Sequence, residues 1–257
     1  MISKNFLNCY FCFGVFIILL RFFTNEVLAF SNCGSTIPNN LRLEELHYGT
    51  GYTQYEKEIG EAFHKDKVLF EQLFKLHVAK YSNISGSIVN FKDSPKKIYR
   101  SAILSENLAL LSELVKKKDV KSIVVLTNSK IFDITPLINK EQEFFSVLGG
   151  KQFNHILNFD CDFDFKDSNE VQKAQIKVTS IIKLIANTEG NVLIHCLGGE
   201  HRSEVVFEVM QRCLNKLDMD NIIGRYKCHT GWENESSIGN FRQENIDFIW
   251  DFPCELL

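Results

Sequence analysis

Residues 191–216 read NVLIHCLGGEHRSEVVFEVMQRCLNK, and the reading of this stretch decides the fold. Val192, Leu193 and Ile194 make a short apolar run of the kind a buried strand uses. Gly198 and Gly199 then mark a tight turn, and an apolar segment of helical length follows, with Arg202 and Ser203 in its first turn. A strand that passes through a glycine turn into a helix N-terminus aims several backbone N–H groups at one point, where the helix dipole adds partial positive charge. Such a point suits an anion.

Cys196 sits where the strand becomes the turn. The same amides favour its thiolate, so its pKa is expected well below the free value of about 8.5, making it a nucleophile at neutral pH. Arg202, six residues on, can return over the turn and present its planar fork to two oxygens of one phosphate. Cysteine, arginine and amides together fit a phosphoryl group. The bland alternative, a core thiol beside an exposed helix arginine, predicts none of the strand, glycines, Arg and Ser in register.

The string His195-Cys196-x5-Arg202-Ser203 resembles the signature loop of the cysteine-based protein tyrosine and dual-specificity phosphatases. Upstream, Lys97-Ile98-Tyr99-Arg100-Ser101-Ala102 is similar to the opening of many dual-specificity-like domains, and the likeness extends over roughly residues 87–252. The resemblance implies an α/β fold: a central, mostly parallel sheet flanked by helices, with the loop at the strand C-terminal ends. It implies a two-step displacement in which Cys196 attacks phosphorus while Arg202 and the amides of Leu197, Gly198, Gly199, Glu200 and His201 hold the equatorial oxygens. Ser203 donates a hydrogen bond to the departing sulfur in the second step, and His195 holds the loop by hydrogen bonds.

The family also places a general-acid aspartate on a loop upstream of the cysteine. Asp160, Asp162, Asp164 and Asp167 stand 36, 34, 32 and 29 residues before Cys196. Asp160 closes the preceding strand, and Asp167 opens an Asp-Ser-Asn-Glu capping pattern that would occupy its carboxylate. Asp162 and Asp164 remain, with Asp164 preferred on spacing; the usual Trp-Pro-Asp wording is absent. Asn245 matches a late Gln or Asn that orients the hydrolytic water in relatives. The resemblance requires no cofactor, and Cys213, Cys228 and His229 do not make a zinc spacing. Leu197 and Glu200 leave the loop without lysines, which by electrostatics disfavours multiply phosphorylated ligands. The expected substrate is a phosphorylated protein or another phosphate monoester. A catalytically weak or inactive phosphate-binding module is the competing reading.

Length and composition agree. With 257 residues, 45% hydrophobic and 24% charged, the chain can bury one α/β core, and its net charge of −3 gives no pull toward nucleic acid or anionic membrane. Residues 1–29 read as a secretory signal peptide: Lys4, then the apolar run of residues 6–20, then Val27-Leu28-Ala29 as a cleavage site. The uninterrupted run is short of the ~20 residues a bilayer requires. An uncleaved anchor is the alternative, and it alone would bring a membrane partner. Either leader puts the catalytic part in a lumen or outside the cell. Cys33, Cys161, Cys196, Cys213, Cys228 and Cys254 then remain. If Cys196 stays a thiolate the other five are odd in number, so one thiol is spare, with Cys161 and Cys213 as candidates for a reversible bridge to Cys196. For Cys213 a plain core position is the competing reading.

Residues 30–86 are expected to form an arm and a helix over residues 55–81, and residues 87–257 the catalytic domain. Within the latter, two extended pieces flank a turn at Asp93-Ser94-Pro95, and Ser105 is expected to cap a helix over residues 106–118. Strands follow at residues 122–126 and 153–159, and helices at residues 136–148, 168–186, 219–229 and 245–250. No repeat or low-complexity segment interrupts this order.

Overall fold

The computed structural model describes residues 61–62, 65–80, 84–127, 134–149, 155–161, 165, 167–230 and 242–257. The leader, the arm, Cys33, Asp162, Asp164 and the side chains of Asp160 and Cys228 lie outside the described residues. The elements in order are α1 (Lys67–Lys80), β1 (Ser85–Asn90), β2 (Pro95–Ser101), α2 (Leu108–Lys118), β3 (Val120–Thr127) and α3 (Thr135–Gly149). They continue with β4 (His155–Asp160), α4 (Ser168–Asn187), β5 (Asn191–His195), α5 (Arg202–Cys213), α6 (Met219–Thr230) and α7 (Gln243–Asp251), before a short 3-10 turn (Cys254–Leu256).

The five described strands form one sheet in the order β1-β2-β5-β3-β4. β1 runs antiparallel to β2, and every other pairing is parallel. This is the expected α/β architecture, a central, mostly parallel sheet flanked by helices. Two crossovers carry the chain outward from β2 to β3 to β4, and a third brings it back to β5, between β2 and β3. Parallel crossovers keep one hand, so reversing direction moves the connecting helices to the other face. Accordingly α2 and α3 pack on one face with Leu114, Ile138 and Phe145, and α4 and α5 on the other with Val178, Ile182, Val206 and Phe207. β5 is therefore the strand at which the winding changes face, the place where open α/β sheets form a crevice at their C-terminal ends.

β5 is buried on both sides. Val192 and Ile194 point to the α4/α5 face and Leu193 to the α2/α3 face, each with no exposed surface. Each such side chain contributes about 1.5–3 kcal/mol by leaving water. α1 lays Phe70 and Phe74 on the α2/α3 face, so this helix covers that side of the sheet. Its described span begins at Lys67, and the first residues of its expected range fall outside the description.

Some expectations are corrected. Ser105 does not cap α2: it is fully buried in a turn closed by Asn107 N–H donating to Leu104 O at 2.8 Å. That turn delays the helix by two residues, and Asn107 Oδ1 accepts from Leu110 N at 3.3 Å instead. Cys213 is neither a spare thiol nor a plain core residue, because it forms a disulfide with Cys254. Cys161 and Cys196 are both buried thiols just past the ends of β4 and β5, with β3 between those strands. Cys213, bonded to Cys254, is thus not available to bridge Cys196. Asp167 does cap α4, its Oδ1 accepting from Asn169 N at 2.8 Å.

Candidate active site

The loop from Cys196 to His201 leaves the C-terminal end of β5 and enters α5 at Arg202. Gly199 fixes its path. With φ of +73°, this residue adopts a conformation that side chains disfavour, and an added Cβ would lie 2.4 Å from Ala102 N and 2.5 Å from Ser101 C. The loop can press against the end of β2 only because position 199 carries no side chain. Gly198, by contrast, would place a Cβ no closer than 3.4 Å to its neighbours.

Three contacts hold the loop from outside, at alternate residues. Leu197 O accepts from Ile103 N at 3.1 Å. Gly199 O accepts from Nη1 of Arg100, the fully buried penultimate residue of β2. His201 Nδ1 lies 2.8 Å from Tyr226 Oη on α6. A trans peptide carries its N–H antiparallel to its C=O, so tethering the Leu197 and Gly199 carbonyls toward β2 turns the N–H groups of Gly198 and Glu200 away from it.

On the inner side, Gly199 N donates to Cys196 Sγ at 3.2 Å, and Ser203 Oγ lies 3.4 Å from the sulfur. Cys196 is 4% exposed. Burial alone would raise its pKa, but the Arg202 charge, the Ser203 hydroxyl and the Ser203 and Gly199 amides together bring it down to about 6. The thiolate is therefore the predominant form at pH 7. Arg202 Nη1 donates to Leu126 O at 2.7 Å, at the end of β3, which carries the guanidinium across the strand tips beside the loop.

His195, the last residue of β5, is fully buried. Its Nδ1 stands 3.2 Å from Cys196 O, which can only accept, and its Nε2 is 2.8 Å from Glu141 Oε2 on α3. Burial favours the neutral ring, yet the Glu141 carboxylate and the Cys196 carbonyl outweigh it and raise the pKa. Glu141 also accepts from Leu104 N at 2.9 Å, so one carboxylate ties α3, the β2–α2 connection and the nucleophile's neighbour together.

Asn245, on α7, is buried and donates from Nδ2 to Tyr226 Oη at 2.7 Å. It thus reaches the loop through Tyr226 and His201. Burial, with the Glu204 charge added, holds the Tyr226 phenol far above its ordinary value, so it stays a neutral hydroxyl in hydrogen-bond contact with His201. Glu200 is half-buried, and burial raises its pKa to about 8 against the pull of Arg242.

The structure thus brings together Cys196, Leu197, Gly198, Gly199, Glu200, His201, Arg202, Ser203 and His195, with Asn245 one residue removed. Asp162 and Asp164 fall outside the described residues. The sequence reading missed Glu141, Glu204, Glu208, Arg225 and Tyr226, and took Arg100 only as part of a phrase. The available signal was charge inside apolar text: Glu204 and Glu208 stand one turn apart in a helix that is otherwise mostly apolar. Among the described residues no group of three or more His, Cys, Asp or Glu side chains is placed to hold a metal ion, and no helix is long and apolar enough to cross a membrane.

The sequence matches no protein-family profile and no curated protein. Solved structures are similar in part. TpbA of P. aeruginosa is 18% identical, with a TM-score of 0.42 over 68% of this chain and 87% of that one. The core catalytic domain of the PP-IP phosphatase SIW14 from S. cerevisiae is 19% identical, with a TM-score of 0.42 over 61% and 80%. The Trypanosoma brucei protein tyrosine phosphatase TbPTP1 is 14% identical, with a TM-score of 0.37 over 67% and 73%. At such identities and scores the chemistry stands on the loop itself. The solved structures that this chain is similar to are protein tyrosine phosphatase-like proteins, the family its loop sequence resembles.

Proposed function

We propose that this chain is a cysteine-dependent phosphatase of dual-specificity type, hydrolysing phosphate monoesters through a phosphocysteine intermediate. The observation that carries the reading is the buried Cys196 sulfur at the N-terminus of α5, with Gly199 N–H at 3.2 Å and Ser203 Oγ at 3.4 Å, where the Arg202 charge favours its thiolate. The thiolate attacks phosphorus, and the P–O bond to the leaving group breaks. Asp164, or else Asp162, gives its proton to the departing oxygen. Water then attacks the phosphocysteine with the same carboxylate as base, releasing inorganic phosphate and returning the thiolate. Ser203 Oγ, 3.4 Å from the sulfur, stabilises it as it leaves. Asn245 orients the water.

A phosphorylated protein bearing phosphotyrosine or phosphoserine/threonine is the proposed substrate class, since Gly198, Gly199 and Glu200 supply no basic side chain for multiply phosphorylated ligands. The Cys213–Cys254 disulfide supports a lumenal or extracellular setting, as the leader suggests.

The test is turnover of an aryl phosphate by the purified protein. The expected result is activity that vanadate inhibits, that Cys196→Ser abolishes, and whose acidic limb falls near pH 6. Phosphopeptide binding without turnover between pH 5 and 8 would refute catalysis and leave the phosphate-binding module. Asp164→Asn should slow poor leaving groups far more than good ones, and if only Asp162→Asn does so, the acid is Asp162.

A further inference from the structure

Beneath the loop, on the α4/α5 face of the sheet, lies a line of four charged side chains. Arg100 Nε of β2 is 2.8 Å from Glu204 Oε2 in the first turn of α5, with both side chains fully buried. One turn on, Glu208 Oε2 pairs with Arg225 Nη2 of α6, and the Arg225 guanidinium lies 5.6 Å from the Phe207 ring centroid. Burial raises the pKa of Glu204 and of Glu208, with Arg100 and Arg225 respectively opposing most strongly.

Four buried charges cost much desolvation, and apolar side chains of similar size would be as stable or more so. Their position offers a reason. Arg100 is the member that touches the loop, through Gly199 O. Its guanidinium is held by Glu204, which α5 carries two residues after Arg202. The strand that the loop abuts and the helix that it starts are thereby locked around one carbonyl. Were that peptide to rotate, Gly199 O would face the sulfur and phosphoryl oxygens, and Glu200 N–H would be lost to them.

We propose that Arg100 is a positioning residue of the phosphate site: it holds the Gly199 carbonyl outward, so that Glu200 N–H joins Gly199 N–H in facing the Cys196 thiolate and the bound phosphoryl group. Glu204 sets the guanidinium, and the Glu208–Arg225 pair balances the charge behind it. The inference rests on the phosphatase reading of the loop, but its test does not use turnover.

The measurement is alkylation of Cys196 by iodoacetamide against pH, read by peptide mass spectrometry, with and without inorganic phosphate as protectant. Arg100→Met leaves Glu204 buried alone and risks the fold, so Arg100→Met/Glu204→Gln is compared with it. In the folded double variant the alkylation midpoint should rise by about one pH unit, and protection by phosphate should need about tenfold more phosphate, the loss of one charge-assisted hydrogen-bonded tether. Arg100→Lys, with one compact donor group in place of the fork, should restore part of both. A double variant that melts earlier but keeps the wild-type midpoint and protection would reduce Arg100 to a structural role and overturn the proposal. Should the variants not fold, the wild-type protein decides: adding inorganic phosphate should shift the Glu200 amide proton downfield together with that of Gly199. A Glu200 amide that stays unmoved while Gly199 responds would overturn it as well. Failure of aryl phosphate turnover with these responses intact would refute catalysis and leave the positioning role standing.

Discussion

The two ends of α5 are both pinned to the rest of the molecule, and by opposite means. At the C-terminal end, Cys213 is joined covalently to Cys254, and Arg212 Nη1 donates to Phe252 O at 2.8 Å. At the N-terminal end no covalent bond is used; Ile103 N, Arg100, Glu141 and Tyr226 hold the loop and its flank by hydrogen bonds and buried ion pairs. The difference teaches what an anion site requires. A disulfide fixes a position but supplies neither charge nor donors, whereas a site for phosphate needs N–H groups turned inward and carbonyls turned out. Only polar partners placed outside the loop achieve that.

The sharpest way to break this comparison is Gly199→Ala. The new Cβ would overlap the backbone of Ser101 and Ala102 at a positive φ, so a cost of about 4 kcal/mol is expected. The low-pH alkylation of Cys196 should go with it. Urea denaturation and alkylation of the same sample check both, and a variant with wild-type stability and an unchanged thiol would show that the loop does not depend on its close approach to β2.

Next in size is the far end. Cys213→Ser should cost about 3 kcal/mol, the usual effect of removing a bridge that closes a loop of this order, here with 41 residues of sequence separation. The Cys196 alkylation midpoint should stay near 6, because nothing at that end touches the sulfur. A shift of the midpoint would mean that the two ends are coupled through the helix.

Glu141→Gln should cost about 2 kcal/mol at pH 6, where it removes the charge facing a buried imidazolium. Its signature is a pH slope. The raised His195 pKa contributes stability that is complete below the ordinary value of about 6.5 and is lost as pH rises through the folded value. The lowered Cys196 pKa works in the other sense, adding stability that is complete above the ordinary thiol range and lost as pH falls through about 6. In a Cys196→Ser background the thiol's slope should vanish, and Glu141→Gln should flatten the part of the remaining slope that His195 contributes. Denaturation series at several pH values would show this, and a slope that Glu141→Gln leaves unchanged would remove Glu141 from the account.

The smallest effect is expected at Tyr226. Tyr226→Phe removes the hydroxyl that both the Asn245 amide and His201 Nδ1 contact, at about 1 kcal/mol, or roughly fivefold in phosphate protection of Cys196. Full protection at the wild-type phosphate concentration would show that His201 needs no support from α6.

Much of this molecule could be read from local text, and the exceptions share a cause. Val192–Ile194, the glycine turn and the apolar run after Arg202 each carry a period or a breaker, so strand, turn and helix were legible. The capping aspartate of α4 was legible for the same reason, being a pattern within four residues. Ser105 misled because a buried turn, closed by Asn107 N–H on Leu104 O, competed with a plausible cap. The Cys213–Cys254 pairing was not legible, since connectivity depends on where α7 returns the chain.

The sequence by itself determined the chemistry at the end of β5. Cys196, Gly199, Arg202 and Ser203 lie within eight residues, and strand, turn and helix geometry alone converge them on one point. What only the tertiary structure decided is which groups hold that point in shape. Arg100, Glu141 and Tyr226 are 96, 55 and 30 residues from Cys196 in the chain. They meet the loop because β5 inserts beside β2 and because α3 and α6 pack on opposite faces of the sheet. A buried charge gives no sign of its partner in the local sequence, since the partner is chosen by the register of packed elements and not by spacing along the chain.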